Sequence, residues 1–355
     1  MIPRRFGVQG THWLSGYRSL ITAVTPSPPR EHTPVLLSEV MQLVAPTRGG
    51  GWFLDATFGD GGYTQALLER DPNCRVVAVD QDPYAYTKAQ ALAMQPKYQG
   101  RLFPILGRFS DIRRLARPIV SDTGFTGIVY DIGVCSSQID QAHRGFSYMR
   151  DGPLDMRMAS RGGHETDERE VELRLGKRTI PASVVVNQFS VDQLAQLFQR
   201  YGEERFANRI AAAIDRYRQT EGAITTTSQL ADLVCHTIPR SHRAVSSRNP
   251  DQRRHPATRI FQSLRIYVND ELTELTTSLQ DALTLVAPQG RIAVVTFHSL
   301  EDRLVKQLFK VQATSADGHE TGFRLLSKRV IKPSRSEVVA NSRSASAKLR
   351  AIERL

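Results

Sequence analysis

The stretch from Gly51 to Asp82 constrains the fold of this chain more than any other part of it. Trp52 to Ala56 is a short apolar run containing Asp55 near its end, Thr57 to Gly62 is a glycine-rich loop, and Tyr63 to Arg70 has helical spacing. Val76 to Val79 is a second apolar run, and it ends in Asp80. Strand, loop, helix and strand in that order make the opening unit of a parallel sheet. Gly59, Gly61 and Gly62 let backbone amides approach a ligand at a helix N-terminus, and an acid at the tip of the next strand is placed to accept hydrogen bonds from ribose hydroxyls.

Glycines alone fit a tight turn equally well, so Asp80 carries the weight of the ligand reading. The loop reads G-D-G-G where a dinucleotide fingerprint needs G-x-G-x-x-G, and no G-x-x-x-x-G-K-[ST] occurs anywhere in the chain. A polyphosphate cradle is therefore disfavoured. An adenosine without a phosphate tail, such as S-adenosylmethionine, fits better.

Charge points to a partner. The net charge is +11, but its distribution is uneven. Residues 1–30 hold four Arg and no acid, residues 236–259 six Arg against one Asp, and residues 324–354 nine Lys or Arg against two Glu. Basic segments on an otherwise slightly acidic body suit a polyanion, most simply nucleic acid. Three scattered cysteines without a C-x-x-C suggest a reducing compartment, with neither disulfides nor zinc, and no metal site is expected. No apolar run reaches membrane-spanning length.

Along the chain, residues 1–30 read as an organelle-targeting segment or a basic arm. Helical spacing follows over 31–44 and 85–94, strands over 102–106 and 128–131, and the fourth strand again ends in an acid, Asp131. Asp55, Asp80 and Asp131 thus belong at one edge of a parallel sheet, where open α/β sheets bind ligands. Residues 133–158 form a long loop rich in Gly, Ser, Asp and Arg, and a loop of that length is more often functional than idle. Residues 160–183 are charged and aperiodic. Helices capped by Ser190 and Thr227 then read as an inserted domain over about 143–250. Pro256 suits the start of one long helix reaching Leu283, Ala287 to Gly290 a turn, and Arg291 to Phe297 a central fifth strand. The basic residues 324–354 suit a hairpin or arm. The expected domains are therefore 1–30, 31–142, 143–250 and 251–355.

Several runs carry a resemblance: HTPVLL at 32–37, DATFGDGGYT at 55–64, VDQDP at 79–83, DIGVCSSQID at 131–140, RGFSYMRDGPLDMRM at 144–158, YGEERFANRI at 201–210, HPATRIFQSLRI at 255–266 and FHSLEDRLVK at 297–306. In this order they resemble the bacterial-type small-subunit ribosomal RNA cytosine-N4 methyltransferases, the MraW family. The resemblance spans about 32–354. It implies an α/β fold, a Rossmann-like S-adenosylmethionine-dependent methyltransferase sheet with an inserted helical domain. It also implies a cytosine in the decoding region of small-subunit rRNA as substrate, modified during subunit maturation.

By the same resemblance the cofactor residues fall on Gly61, Gly62, Tyr63, Asp80, Phe109, Asp131 and Gln138, to which the glycine-loop reading adds Gly59. Asp80 would hold the ribose and Phe109 the adenine. Asp131 could accept from the methionine ammonium or from the cytosine amine, whose lone pair is otherwise delocalised into the ring; for the amine it is the first candidate, with the Ser136 and Ser137 region next. Cys135 reads as a small loop residue rather than a nucleophile. Phe146 and Tyr148 are candidates to hold an extruded base, or else one face of a short buried strand. Arg144, Arg150 and Arg157 are candidates to clamp phosphates, with Asp151 and Asp155 as competing partners. His298 is a substrate-side candidate better explained by a hydrogen bond to backbone.

Three positions depart from the family pattern: Tyr63 stands where His is usual, Ser137 where Pro is usual, and Ala159 where Asp is usual. They motivate a second reading, a silent ribosome-assembly factor that keeps the fold. A DNA or protein amino-methylase comes last, for want of a [DNS]-P-P-[YF] loop. The expected partners are small-subunit rRNA and the subunit or its assembly intermediate, with other assembly factors or a homodimer as further options and no membrane. The expected location is the mitochondrial matrix, with a bacterial cytoplasm as the alternative.

Overall fold

The computed structural model describes residues 34–45, 49–120, 123–160, 179–239, 255–314 and 322–355. The basic segment 1–30 and most of the aperiodic stretch 160–183 lie outside the described residues.

Seven strands form one sheet: β1 (Gly51–Asp55), β2 (Cys74–Asp80), β3 (Leu102–Leu106), β4 (Phe125–Asp131), β5 (Val286–Thr296), β6 (Phe323–Leu325) and β7 (Lys348–Arg354). Their order is β3-β2-β1-β4-β5-β7-β6. The first five are mutually parallel, and β7 runs antiparallel between β5 and β6. The basic C-terminal segment is thus a hairpin built into the sheet.

Period-two alternation decides the two faces. Phe53, Val76, Ala78, Val129, Ala293 and Val295 point to one face, with α1 (Leu37–Val44) and α2 (Gly62–Arg70) packed on it. Leu54, Val77, Val79, Ile128, Ile292 and Val294 point to the other, against α4 (Ile112–Val120), whose predecessor α3 (Pro83–Ala93) follows β2. Both faces are covered, as a parallel sheet requires.

After the short α5 (Ser136–Asp140), a separate apolar core forms from α6 (Ala182–Gln188), α7 (Val191–Gly202), α8 (Ala207–Thr220) and α9 (Thr227–Thr237). That core also takes in Phe146, Leu154, Met156 and Met158, and it reaches on to Ile260, Leu264 and Val268 of α10 (Thr258–Asn269). The helical cluster therefore runs past residue 250. Ser190 caps α7 as expected, accepting from the Gln193 amide. The cap of α9 is Thr226, not Thr227. Thr227 is diverted: its hydroxyl donates to the Arg150 carbonyl at 3.0 Å and accepts from the Gly152 amide at 3.1 Å.

The expected long helix is two. Asp270 adopts the left-handed region at φ 54°, and α11 (Glu271–Leu285) restarts beyond it. Asn and Asp are the non-glycine residues that tolerate this region best. Likewise β5 begins at Val286 rather than Arg291, with its pairing to β4 irregular between Phe125 and Gly127. The last long helix is α12 (Ser299–Ala313), and α13 (Arg335–Ala340) lies within the C-terminal hairpin.

The break at Asp270 positions Asn269, which is 3% exposed. Its side chain accepts from the Met158 amide at 2.8 Å and donates to the Met156 and Arg265 carbonyls, each at 2.9 Å. It pins the 153–158 loop to the end of α10. Replacing Asn269→Ala would orphan buried backbone groups, each costing roughly 1–3 kcal/mol. Chemical denaturation should show a loss on the order of 3 kcal/mol; a loss within about 0.5 kcal/mol would mean that the loop is held by other contacts.

Candidate active site at the carboxyl edge of the sheet

A cavity opens at the carboxyl ends of β1, β2 and β4, and Asp80, Asp131 and Phe109 all line it. The glycine loop forms its floor. Gly61 takes φ 84° as the residue preceding α2, and a Cβ on Gly62 would collide with the ring of Pro34. Glycine is needed at both, at the first for conformation and at the second for space.

Asp80 organises the nucleoside end. One carboxylate oxygen accepts from the Gly59 amide and the other from the Asp82 amide, both at 2.8 Å. Each oxygen has a lone pair to spare, so a diol can still be held there. Burial raises Asp80 to about 7, and the neighbouring Asp82 charge adds to the rise. Phe109 meets Tyr130 edge-on at 6.3 Å between ring centroids, which fixes its plane at the cavity wall.

Asp131 lies at the other end. Its backbone amide donates to the Thr57 hydroxyl at 2.6 Å, so the strand end and the loop are stitched together. Its Oδ1 is buried with no hydrogen-bond partner among the described residues, and the same holds for the Ser136 hydroxyl oxygen. Both residues line the cavity. Burial, with Asp55 and Glu301 nearby, raises Asp131 to about 8. A buried polar atom without a partner is costly, and in a native cleft it marks a place for a ligand. The cavity therefore offers a diol acceptor at one end and an unspent carboxylate at the other. Those two groups fit an adenosine whose tail carries positive charge.

Asp55 serves from below. It is fully buried, accepts from the Thr64 hydroxyl at 2.6 Å, and is raised to about 6 by burial. Tyr63 also lines the cavity, and its hydroxyl donates to the Val35 carbonyl, tying α2 to the turn before α1.

Other expected residues are placed differently. Gln138 lines the cavity, yet its carbonyl accepts from the Cys135 amide at 3.1 Å and its amide donates to Asp82 at 2.7 Å. It orders the loop before it can orient a ligand. Ser137 turns to the Cys135 sulfur at 3.0 Å, while burial pushes the Cys135 thiol up to about 12, which removes it as a thiolate nucleophile.

The phosphate-clamp expectation fails for two of three arginines. Arg144 is 2% exposed, paired with Asp82 at 3.0 Å and donating to the Met158 carbonyl at 3.0 Å. Arg157 is held by Asp155 at 2.8 Å. Neither can offer its charge to a phosphate without breaking an internal pair. Arg150 is the exception: its side chain is exposed and it shares Asp140 with Arg343, a cavity-lining residue. The base-platform expectation fails as well. Phe146 belongs to the core of the helical cluster, and Tyr148 stacks on His255 at 4.6 Å with its edge to Phe261.

His298 precedes α12 and accepts from the Glu301 amide through Nδ1 at 3.4 Å. That is the backbone role expected for it. Its Nε2 lies 2.8 Å from Glu301 Oε1 without the alignment of a hydrogen bond. Burial opposes the ionisation of Glu301, but His298, Arg265 and the Phe297 amide outweigh it and hold the carboxyl below its ordinary value. Glu271, His298 and Glu301 are close enough to suit a cation by type. The guanidinium of Arg265 already fills that role, meeting both oxygens of Glu271 at 2.7 Å.

Asp82 is the residue sequence reasoning missed. It caps α3, accepts from Gln138 and Arg144, and is 2% exposed. The signal was present: an Asp directly before a Pro that opens a helix is a cap in waiting. Met158, Asn269 and Glu271, which also line the cavity, were not singled out either.

Comparison with known proteins agrees with this geometry. The family model described as MraW methylase family matches residues 29–355. The ribosomal RNA small subunit methyltransferase H of Methylobacterium nodulans is 45% identical over 334 residues, covering 91% of this chain and 90% of its own length. The protein of the same name from Thermomicrobium roseum is 44% identical over 340 residues, covering 91% and 94%. That from Ehrlichia canis is 40% identical over 323 residues, covering 90% and 99%. A match over almost the whole chain, on a sheet with its acids at one edge, makes this protein a member of the MraW methylase family.

Proposed function

We propose that this protein transfers a methyl group from S-adenosylmethionine to the N4 amine of a cytosine in small-subunit ribosomal RNA, acting during subunit maturation. The observation that carries the reading is Asp131: a buried carboxylate oxygen without a partner, in the same cavity as a ribose-type acceptor. The relatives' shared name supports rRNA as the substrate.

S-adenosylmethionine, when bound, supplies an electrophilic methyl group on a cationic sulfonium. The chain's own part is positioning and charge. Asp80 would accept from the ribose hydroxyls and Phe109 would pack against the adenine. Asp131 Oδ1 would accept an N–H from the cytosine amine, localising its lone pair, and can hold the proton that the methylated amine sheds. A carboxyl raised to about 8 is well matched to that proton transfer near neutral pH. The Ser136 hydroxyl is the next polar atom available in the cavity.

The departures from the family pattern do not remove this machinery. Tyr63 spends its hydroxyl on Val35 and Ser137 faces Cys135, so neither change deletes Asp80 or Asp131. The acid-free residues 1–30 support targeting to an organelle as a proposal about location.

Purified protein given labelled S-adenosylmethionine and small-subunit rRNA, free or in an assembly intermediate, should yield N4-methylcytidine in the digested RNA. Label recovered only in another nucleoside, or none from protein that binds the cofactor, would sink the reading. Asp131→Asn should lower kcat by roughly 10²–10⁴, the usual worth of a positioned acid or base, while Asp80→Asn should act mainly on cofactor affinity.

A pH prediction follows from the two carboxyls. Burial raises both Asp80 and Asp131 above the ordinary 3.8, so without ligand both retain protons near neutrality. The unfolded chain would already have released them, so this pair costs the fold stability as pH climbs from about 4 to about 8. A cationic cofactor favours the carboxylates. Its binding should therefore release protons and tighten as pH rises from about 6 to 9. Calorimetry in two buffers of different ionisation enthalpy reads the release, and Asp131→Asn should reduce it. Equal heats in both buffers at pH 7.5 would contradict the assignment.

A further inference from the structure

Phe297 lines a second cavity as well as the first. Three parts of the chain meet around it. The helical cluster supplies Arg259 and Gln262, the start of α12 supplies His298 and Ser299, and the C-terminal hairpin supplies Lys332 and Lys348. Arg259, from the end of one basic stretch, and Lys332 and Lys348, from another, thus meet at one hollow beside the candidate active site.

The charge there is only partly paired. Glu203 is the acid of this lining, and it is already engaged by the Ser299 hydroxyl at 2.7 Å and by Arg303 at 3.0 Å. Lys348 is paired with Asp302 at 3.1 Å. Arg259, an exposed residue, donates to the Glu203 backbone carbonyl at 2.8 Å and its charge reaches the Glu203 carboxylate without a close ion pair, while Lys332 is exposed with no ion-pair partner among the described residues. Neither cation is held in a close ion pair among the described residues, and both line a cavity whose Phe297 wall is shared with the methyl-transfer pocket. Internal pairing explains Arg144 and Arg157, but it does not explain these two.

We propose that this second cavity holds a phosphodiester of the RNA strand beside the target cytosine, gripped by Arg259 and Lys332. The inference rests on the rRNA reading above, since it names where that substrate's backbone is held. A strand whose base enters the first cavity must carry a phosphate past Phe297, and a guanidinium with an ammonium forms a suitable clamp for it. Such contacts add affinity without reading sequence, and each releases counterions.

The test is binding of the full-length protein to a fluorescent small-subunit RNA fragment over a range of salt concentrations. The double variant Arg259→Gln, Lys332→Gln should weaken RNA binding about tenfold or more at 0.1 M salt and flatten the log–log salt slope by about 2, roughly 1 per cation. Its S-adenosylmethionine affinity and melting temperature should stay at wild-type values, and Arg259→Lys with Lys332→Arg should retain most of the RNA affinity. If wild-type protein binds and methylates the RNA while the double variant matches it in affinity and slope, the proposed grip is wrong and the enzyme reading stands. Failure of the wild-type protein to bind the RNA at all overturns both. Inorganic phosphate that binds through the same two residues at sub-millimolar concentration, with no effect of either substitution on RNA, would make the cavity a free-anion site and overturn the proposal.

Discussion

The buried ion pair between Asp82 and Arg144 is the constraint on which the candidate site depends. Asp82 belongs to the turn after β2, Arg144 to the loop leading into the helical cluster, and Gln138, which shares the same carboxylate, to the helix after β4. Two nearby segments are thus fixed to a third, 56 and 62 positions upstream, at one carboxyl group. Burying such charges is expensive, and only a full set of partners makes it tolerable. Arg144 meets this demand by also donating to the Arg157 and Met158 carbonyls, which draws Met158 to the cavity wall. The pair therefore sets the distance between sheet and helices, and with it the shape of the pocket.

Burial also shapes the electrostatics at this sheet edge, where Asp80 and Asp131 line the cavity. Asp55 at about 6, Asp80 at about 7 and Asp131 at about 8 are three carboxyls whose burial keeps them near the point of ionisation. Crowding three ionised carboxylates at one sheet edge would be unstable without a cation nearby. On the proposed function, a positively charged cofactor would resolve that conflict.

Much of the sheet was legible because its code is local. Short apolar runs ending in Asp55, Asp80 and Asp131 fix the strands, their ends and the ligand edge together, and the glycine loop lies between two of them. Pairings between distant residues were not legible. Arg144 and Arg157 look alike in a basic loop, yet one finds Asp82 across 62 positions and the other Asp155 across two. Phe146 and Tyr148 suggest an aromatic platform from the run they belong to, while their spacing fits packing equally well, and only the helical core around Phe146 and the neighbours His255 and Phe261 of Tyr148 reveal them as packing groups. The break at Asp270 was hidden for a similar reason. An Asn–Asp pair is permissive rather than decisive within a helical pattern, and the loop that Asn269 pins is more than a hundred residues upstream.

Strand β7 lies between β5 and β6, and its first residue, Lys348, also faces the second cavity. One bank of that hollow is thereby riveted to the sheet, one strand in from its edge, while the opposite bank is carried by α10 of the helical cluster. Any widening needed to thread a polynucleotide would have to come from the helices swinging away, with the sheet as the stationary jaw.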